Sequence, residues 1–248
     1  MTARLVCENL CKQFGGLQAV NAFGYAFHPG SITALIGPNG AGKTTIFNIL
    51  SGALRTDTGE VYVDGVRVTN LPAFRMARVG VSRTFQDLGL IWRTSVLENV
   101  MLGSVAFGTS QWQSRLRTYL RDDASTVDRA RNALTSLGIA DCEQSLVLDL
   151  SYGQQKLVGL ASCFAANAPI MLLDEPAAGL HPDIKKTVTD LLTKQAAYGK
   201  TVVFIEHDLE LVRDIARTVL VMDEGRLLAV GPPDEVLSRD EVIGAYLA

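Results

Sequence analysis

The chain has few cysteines, and none is placed for chemistry. Cys7, Cys11, Cys142 and Cys163 form no Cys-x-x-Cys pair and have no neighbouring histidine. Neither a cysteine-ligated metal site nor a disulfide framework is expected, and the four read as packing residues of a reducing compartment. No apolar run approaches the roughly 18 residues that a membrane span needs, and the N-terminal stretch MTARLVCENL lacks a signal-peptide core. A soluble chain is expected, with any membrane contact made through a partner. Basic charge is in no excess: 23 Lys and Arg stand against 26 Asp and Glu, a formal net charge of −3, which argues against a generic nucleic-acid binder. Internal repeats, low-complexity tracts and flexible linkers are also missing, so one composite domain over residues 1–248 is expected rather than two independent ones.

What is present is the composition of a compact globular protein, 48% hydrophobic and 20% charged. RLVCENLCKQF and SITALIG read as strands by alternation and β-branched content, and EVYVDGVRV as two short strands around the hairpin turn Asp64-Gly65. From about Leu88 the texture turns helical. Val127, Ala130, Leu134 and Leu137 recur at helical spacing and stop at Gly138, so residues of about 88–155 read as a helical insert. IMLLD and TVVFIEH suit strands buried on both faces of a parallel sheet. Between them, Pro182, an apolar face of Ile184, Val188, Leu191 and Leu192, and the terminal Gly199 predict a crossover helix. VLVMDEGRLLAVG closes as a hairpin around Glu224-Gly225, and a tail of about 231–248 follows.

Gly37, Pro38, Asn39, Gly40, Ala41, Gly42, Lys43 and Thr44 fit G-x-x-x-x-G-K-[ST], between the strand ITALI and the helix-forming TIFNILSG. That context marks a phosphate-binding loop, in which glycines let backbone N–H groups close on phosphate oxygens and a helix N-terminus faces the anion. Lys43 is expected on the β- and γ-phosphates, Thr44 on Mg²⁺ and Thr45 on phosphate. The apolar run Ile170–Leu173 leads into Asp174-Glu175-Pro176. Two carboxylates at the end of a buried strand are costly without a cation; Mg²⁺ beside Asp174 offsets that cost, leaving Glu175 to orient or deprotonate water. His207 ends another apolar strand and is expected beside the nucleotide crevice, where the ends of parallel strands converge. His28 reads as a turn residue, while His181 follows the acidic motif closely enough to be a candidate.

A second phosphate-binding turn is offered by Ser151-Tyr152-Gly153-Gln154, a hydroxyl and backbone N–H groups at the start of a helix. The order phosphate loop, Gln86 in SRTFQ, LSYGQ, IMLLDEP and His207 resembles the ATP-binding cassette ATPase family over nearly the whole chain. That resemblance implies an α/β P-loop NTPase (RecA-like) core with an N-terminal antiparallel β subdomain and an inserted helical signature subdomain. It further implies ATP and Mg²⁺ as ligands and head-to-tail dimerisation, each ATP lying between the P-loop of one cassette and the signature turn of the other. Gln86 is implied to link metal and attacking water to the helical insert, and Phe14 to stack on adenine.

FGGLQAV, VLENVMLG, DEPAAGL, IEHDLELV and the final VIGAYLA narrow the resemblance to the cassette subunit of branched-chain amino acid importers. The partners then implied are a second cassette, identical or related, two transmembrane permease subunits, and indirectly a solute-binding protein, at the cytoplasmic face of the inner membrane and without nucleic acid. Leu88, Leu90, Ile91 and Trp92 are the expected docking cluster. An importer cassette for another small polar solute such as urea or an amide, or a soluble non-transport cassette ATPase, are the alternative readings. Two departures stand out: QQKLVGLASCFAANAPIM lacks the arginines of a QQRR…ARAL pattern, and His181 stands where Asp or Asn is common.

Overall fold

The computed structural model describes residues 2–84, 89–105 and 124–247. Strands β1 (Leu5–Phe14), β2 (Leu17–Phe27), β4 (Thr58–Val63) and β5 (Val66–Arg67) form an antiparallel sheet in the order β2-β1-β4-β5. The second sheet holds β3 (Ser31–Ile36), β6 (Val81–Arg83), β7 (Ile170–Asp174), β8 (Thr201–Ile205), β9 (Thr218–Asp223) and β10 (Arg226–Gly231). Its order is β10-β9-β3-β8-β7-β6, parallel except for the β9–β10 hairpin.

The short apolar runs are strands because both of their faces are covered. Ala34, Ile36, Met171, Leu173, Val202 and Phe204 point into one core, while Leu35, Ile170, Leu172, Val203 and Ile205 point into the other. The second core lies between the two sheets around helix α1 (Lys43–Leu50), whose Ile46, Phe47 and Leu50 are buried with Phe23 and Phe27. Fully burying each such side chain contributes about 1.5–3 kcal/mol.

After helix α2 (Ala73–Arg78) and β6, the chain forms α3 (Val96–Val105), α4 (Ala124–Ser136) and α5 (Tyr152–Ala165), which pack on one another. A Cβ at Gly103 of α3 would lie 2.5 Å from the Ser162 carbonyl oxygen of α5, so only glycine permits this approach. The predicted spacing in α4 is observed: Ala130 and Leu134 are fully buried, and the chain turns at Gly138 with φ +70°. The apolar residues before α3 are not helical. Asn99 accepts from the Ile91 N–H at 2.8 Å and donates to the Ile91 carbonyl and the Thr94 hydroxyl, which fixes that segment as a loop.

Helix α6 (Pro182–Ala197) makes the crossover from β7 to β8, with Val188 and Leu192 inward. Helices α7 (Leu209–Ile215), α8 (Pro233–Val236) and α9 (Asp240–Leu247) complete the chain. Among the described residues no helix is long and apolar enough to cross a membrane. The fold's consequence for chemistry is the adjacency of β3, β8 and β7: their C-terminal ends bring Gly37, Glu206-His207 and Asp174-Glu175 to one edge of the sheet.

Candidate nucleotide site

The loop from β3 to α1 has the geometry of an anion cradle. Gly37 and Gly42 take φ of 145° and 97°, and a Cβ would fall 2.1 Å from the Met222 carbonyl oxygen at the first and 2.3 Å from that of Ala19 at the second. At Gly40, φ +84°, nothing lies within 4 Å of such an atom, so the loop is open on its outer side. Gly42 is the N-cap of α1 and no side chain caps that helix, which leaves its first N–H groups available to an anion. Lys43 is buried and folds over the loop, its ammonium donating to the Gly37 and Pro38 carbonyls at 2.7 and 2.8 Å. Burial holds its pKa down, while Glu175 and Asp174 oppose that shift. A loop of this shape and charge fits a nucleotide's phosphates.

Asp174 ends β7 with its side chain 4% exposed. Its N–H donates to the Thr84 hydroxyl at 2.9 Å, its Oδ2 lies 3.7 Å from the Arg83 guanidinium, and that oxygen has no hydrogen-bond partner. Burial raises its pKa, Arg83 opposes that, and Glu175 adds to it. A buried carboxylate oxygen without a donor is what a divalent cation satisfies, so the Asp174 carboxylate fits Mg²⁺.

Glu175 follows in the left-handed region, φ 46°, its N–H held by the Ile205 carbonyl at 3.0 Å. Its Oε1 lies 3.2 Å from Nε2 of His207. The strand ends thus bring together two of the three expected catalytic side chains; the third, Gln86, lies outside the described residues, as does Leu88.

Ser151 caps α5 in a capping box. The Gln154 N–H reaches the Ser151 hydroxyl at 3.4 Å, and the Gln154 side-chain oxygen accepts from the Ser151 N–H at 3.0 Å. Tyr152 is 60% exposed, and Gly153 faces Leu180. Phe14, at the end of β1, is 48% exposed with the Lys12 ammonium 5.5 Å from its ring centre. His181 is the N-cap of α6 and stands 3.4 Å from Asp183. His28 serves the turn through its backbone, its carbonyl accepting from Ser31 and Thr201.

Sequence reasoning missed Arg83, Thr84, Lys156 and Glu206. Arg83 is 6% exposed and donates to Asn48 and Ser51 of α1 and its cap at 2.6 and 2.9 Å, so it ties the P-loop helix to the strand beside Asp174. Its signal was the one charged residue in VGVSRTF.

A family model described as ABC transporter matches residues 20–178. The chain belongs to the ABC transporter family. ATP binding and hydrolysis are the chemistry of its cassettes, and this cassette is an ATPase of that family. It is 35% identical over 247 residues to the high-affinity branched-chain amino acid transport ATP-binding protein LivG of Escherichia coli, covering 98% of this chain and 97% of that one. The corresponding protein BraF of Pseudomonas aeruginosa is 33% identical with the same coverage. Among solved structures, a nucleotide-free ATP-binding cassette from an ABC transporter superposes with a TM-score of 0.87 at 29% identity, and the ADP conformation of a cassette with 0.86 at 29%, each covering 100% of both chains. The expected fold class, a P-loop NTPase core with an antiparallel β subdomain, is borne out by these matches.

Proposed function

We propose that this cassette is the ATP-hydrolysing subunit of an importer for branched-chain or other small amino acids. The observation that carries the reading is its end-to-end similarity to LivG and BraF, at 35% and 33% identity, in a chain that keeps Glu175 and His207 paired at 3.2 Å.

In this reading Gly37–Thr45 bind the phosphates, Lys43 turning from the loop carbonyls to the β- and γ-phosphates, and Phe14 stacks on the base. Thr44, Asp174 and Gln86 would hold Mg²⁺, which supplies charge neutralisation at the transferred phosphoryl group. Glu175 orients the attacking water and accepts its proton, while His207 steadies Glu175 and reaches towards the γ-phosphate. Ser151, Tyr152, Gly153 and Gln154 face the nucleotide of a second cassette, identical or related, so two half-sites close on each ATP. The whole of 1–248 acts as one cassette, with about 88–155 as its helical subdomain and about 231–248 as a tail.

Two permease subunits dock in the groove beside the Gln86 segment. A cavity of about 500 Å³ lined in part by Phe74, Leu90, Ile91, Leu102 and Tyr152 supports the reading, with Ile91 and the adjacent Trp92 47% and 49% exposed. The chain is then peripheral at the cytoplasmic face of the membrane, and a solute-binding protein delivers the amino acid to the permeases. Affinity capture from gently solubilised native membranes tests this: two polytopic membrane subunits and a second cassette are expected. Recovery only from the soluble fraction, with ribosomal or DNA-associated proteins, would overturn the transport reading and leave the ATP chemistry intact.

A further inference from the structure

Lys156 and Glu206 carry charge where charge is costly, and neither belongs to the phosphate loop, the metal acid or the catalytic pair. Lys156 lies on α5, two residues past Gln154, and is 9% exposed; its ammonium donates to the Ala178 carbonyl at 2.7 Å. Glu206 stands between β8 and His207 and is 2% exposed. One of its oxygens accepts from the Ala177 N–H at 3.1 Å and the other from the His207 N–H at 3.2 Å. Two opposite charges therefore grip successive residues of one short segment, and that segment follows directly on Glu175-Pro176.

The arrangement is an expensive way to attach a helix to a sheet. Burial penalises both charged forms, and each charge favours the other, yet apolar side chains of similar volume commonly stabilise as well or better. What the charges supply is direction. The Lys156 bond ties α5, whose N-cap is Ser151, to the backbone after Glu175. The Glu206 carboxylate ties that same backbone to the N–H of His207. Glu175 itself occupies a left-handed conformation, φ 46°, which persists only where its surroundings over-determine it.

We propose that Lys156 and Glu206 are positioning residues that couple the Ser151–Gly153 turn to the Glu175–His207 pair of the same chain, so that the turn and the pair move as one unit. The inference rests on the reading of Glu175 and His207 as the hydrolytic pair, and it gives the lysine that follows the signature turn a mechanical role.

Lys156→Met, Lys156→Arg, Glu206→Gln and Glu175→Gln test it in the purified full chain assembled with its second cassette, with kcat and KM for ATP, affinity for a fluorescent ATP analogue, and Tm as readouts. Lys156→Met and Glu206→Gln are each expected to lower kcat by about 10-fold to 100-fold, the scale of a misplaced catalytic group, with analogue affinity changed less than about threefold. Lys156→Arg keeps the donor and is expected to restore most of kcat. The double variant is expected to lose little more than the worse single one, as coupled residues do. An unchanged kcat in Lys156→Met overturns the proposal. So does a joint fall of kcat, affinity and Tm that arginine does not rescue, the mark of packing alone. Hydrolysis surviving in Glu175→Gln overturns the reading beneath it, whereas a dead Glu175→Gln beside a fully active Lys156→Met overturns the coupling only.

Discussion

His207 Nε2 stands 3.2 Å from Glu175 Oε1, the two side chains coming from neighbouring parallel strands that end at the same edge of the sheet. The pair is only partly covered, His207 at 47% and Glu175 at 30% exposed, which leaves it open to the water and phosphoryl group of the proposed reaction. In the proposed reading His207 steadies Glu175, so His207→Ala is expected to lower kcat by about 10²-fold to 10⁴-fold, the range of general acid–base contributions. Steady-state phosphate release measures this, and a loss under about threefold would assign His207 a structural part only.

Gly42→Ala is expected to abolish tight nucleotide binding. The added Cβ would meet the Ala19 carbonyl oxygen at 2.3 Å in a backbone of φ 97°, so the loop must shift or bear strain of about 1–3 kcal/mol. Titration with a fluorescent ATP analogue checks it, and wild-type affinity would contradict the cradle geometry.

Asp174→Asn is expected to stabilise the nucleotide-free chain while removing the Mg²⁺-dependent part of its ATP affinity. Burial raises the Asp174 carboxyl above its ordinary range, so between the unfolded and folded values the native state holds more protons than the unfolded one. Stability then falls as pH rises through the folded value, and at neutral pH the ionised form costs stability. Removing it is expected to raise Tm by about 2–4 °C, as about 1 kcal/mol does in a domain of this size. The gain should shrink as pH falls towards the acid range. A lower Tm at neutral pH would mean that the Arg83 contact outweighs the burial cost.

Phe14→Ala is expected to raise the KM for ATP about fivefold, on the order of 1 kcal/mol of ring stacking. The loss should be similar for GTP, since both bases present a π-face. A KM within error of wild type would return Phe14 to the role of an exposed end-of-strand aromatic.

Much of this was legible in the sequence, for reasons that differ along the chain. SITALI, IMLLD and TVVFI are strands because a two-sided core demands unbroken apolar runs, and the α6 face of Val188 and Leu192 repeats at helical spacing. Strand β2 was not read, because extra residues at Ala19 and Asn21-Ala22 scatter its alternation and its pairing with β1 slips register. Strand β6 is three residues long, and α2 buries Met76 alone, so neither carries a period. The loop before α3 is set by one side chain, Asn99, which no propensity announces. Lys43, Asp174, Glu175 and His207 were visible because motif spacing encodes them locally. The contacts of Lys156 and Glu206 join residues 22 and 29 positions apart in sequence, and only the folded chain displays them.

The proposed mechanism has Glu175 perform hydrolysis at a nucleotide held independently by the phosphate loop. Phosphate release and ATP-analogue affinity, measured side by side with Mg²⁺ for the wild-type chain assembled with its second cassette and for Glu175→Gln in the same assembly, decide it. A fall in kcat of about 10²-fold or more is expected, with affinity equal to or tighter than wild type. Equal rates in the two proteins, or loss of nucleotide binding together with hydrolysis, would contradict it.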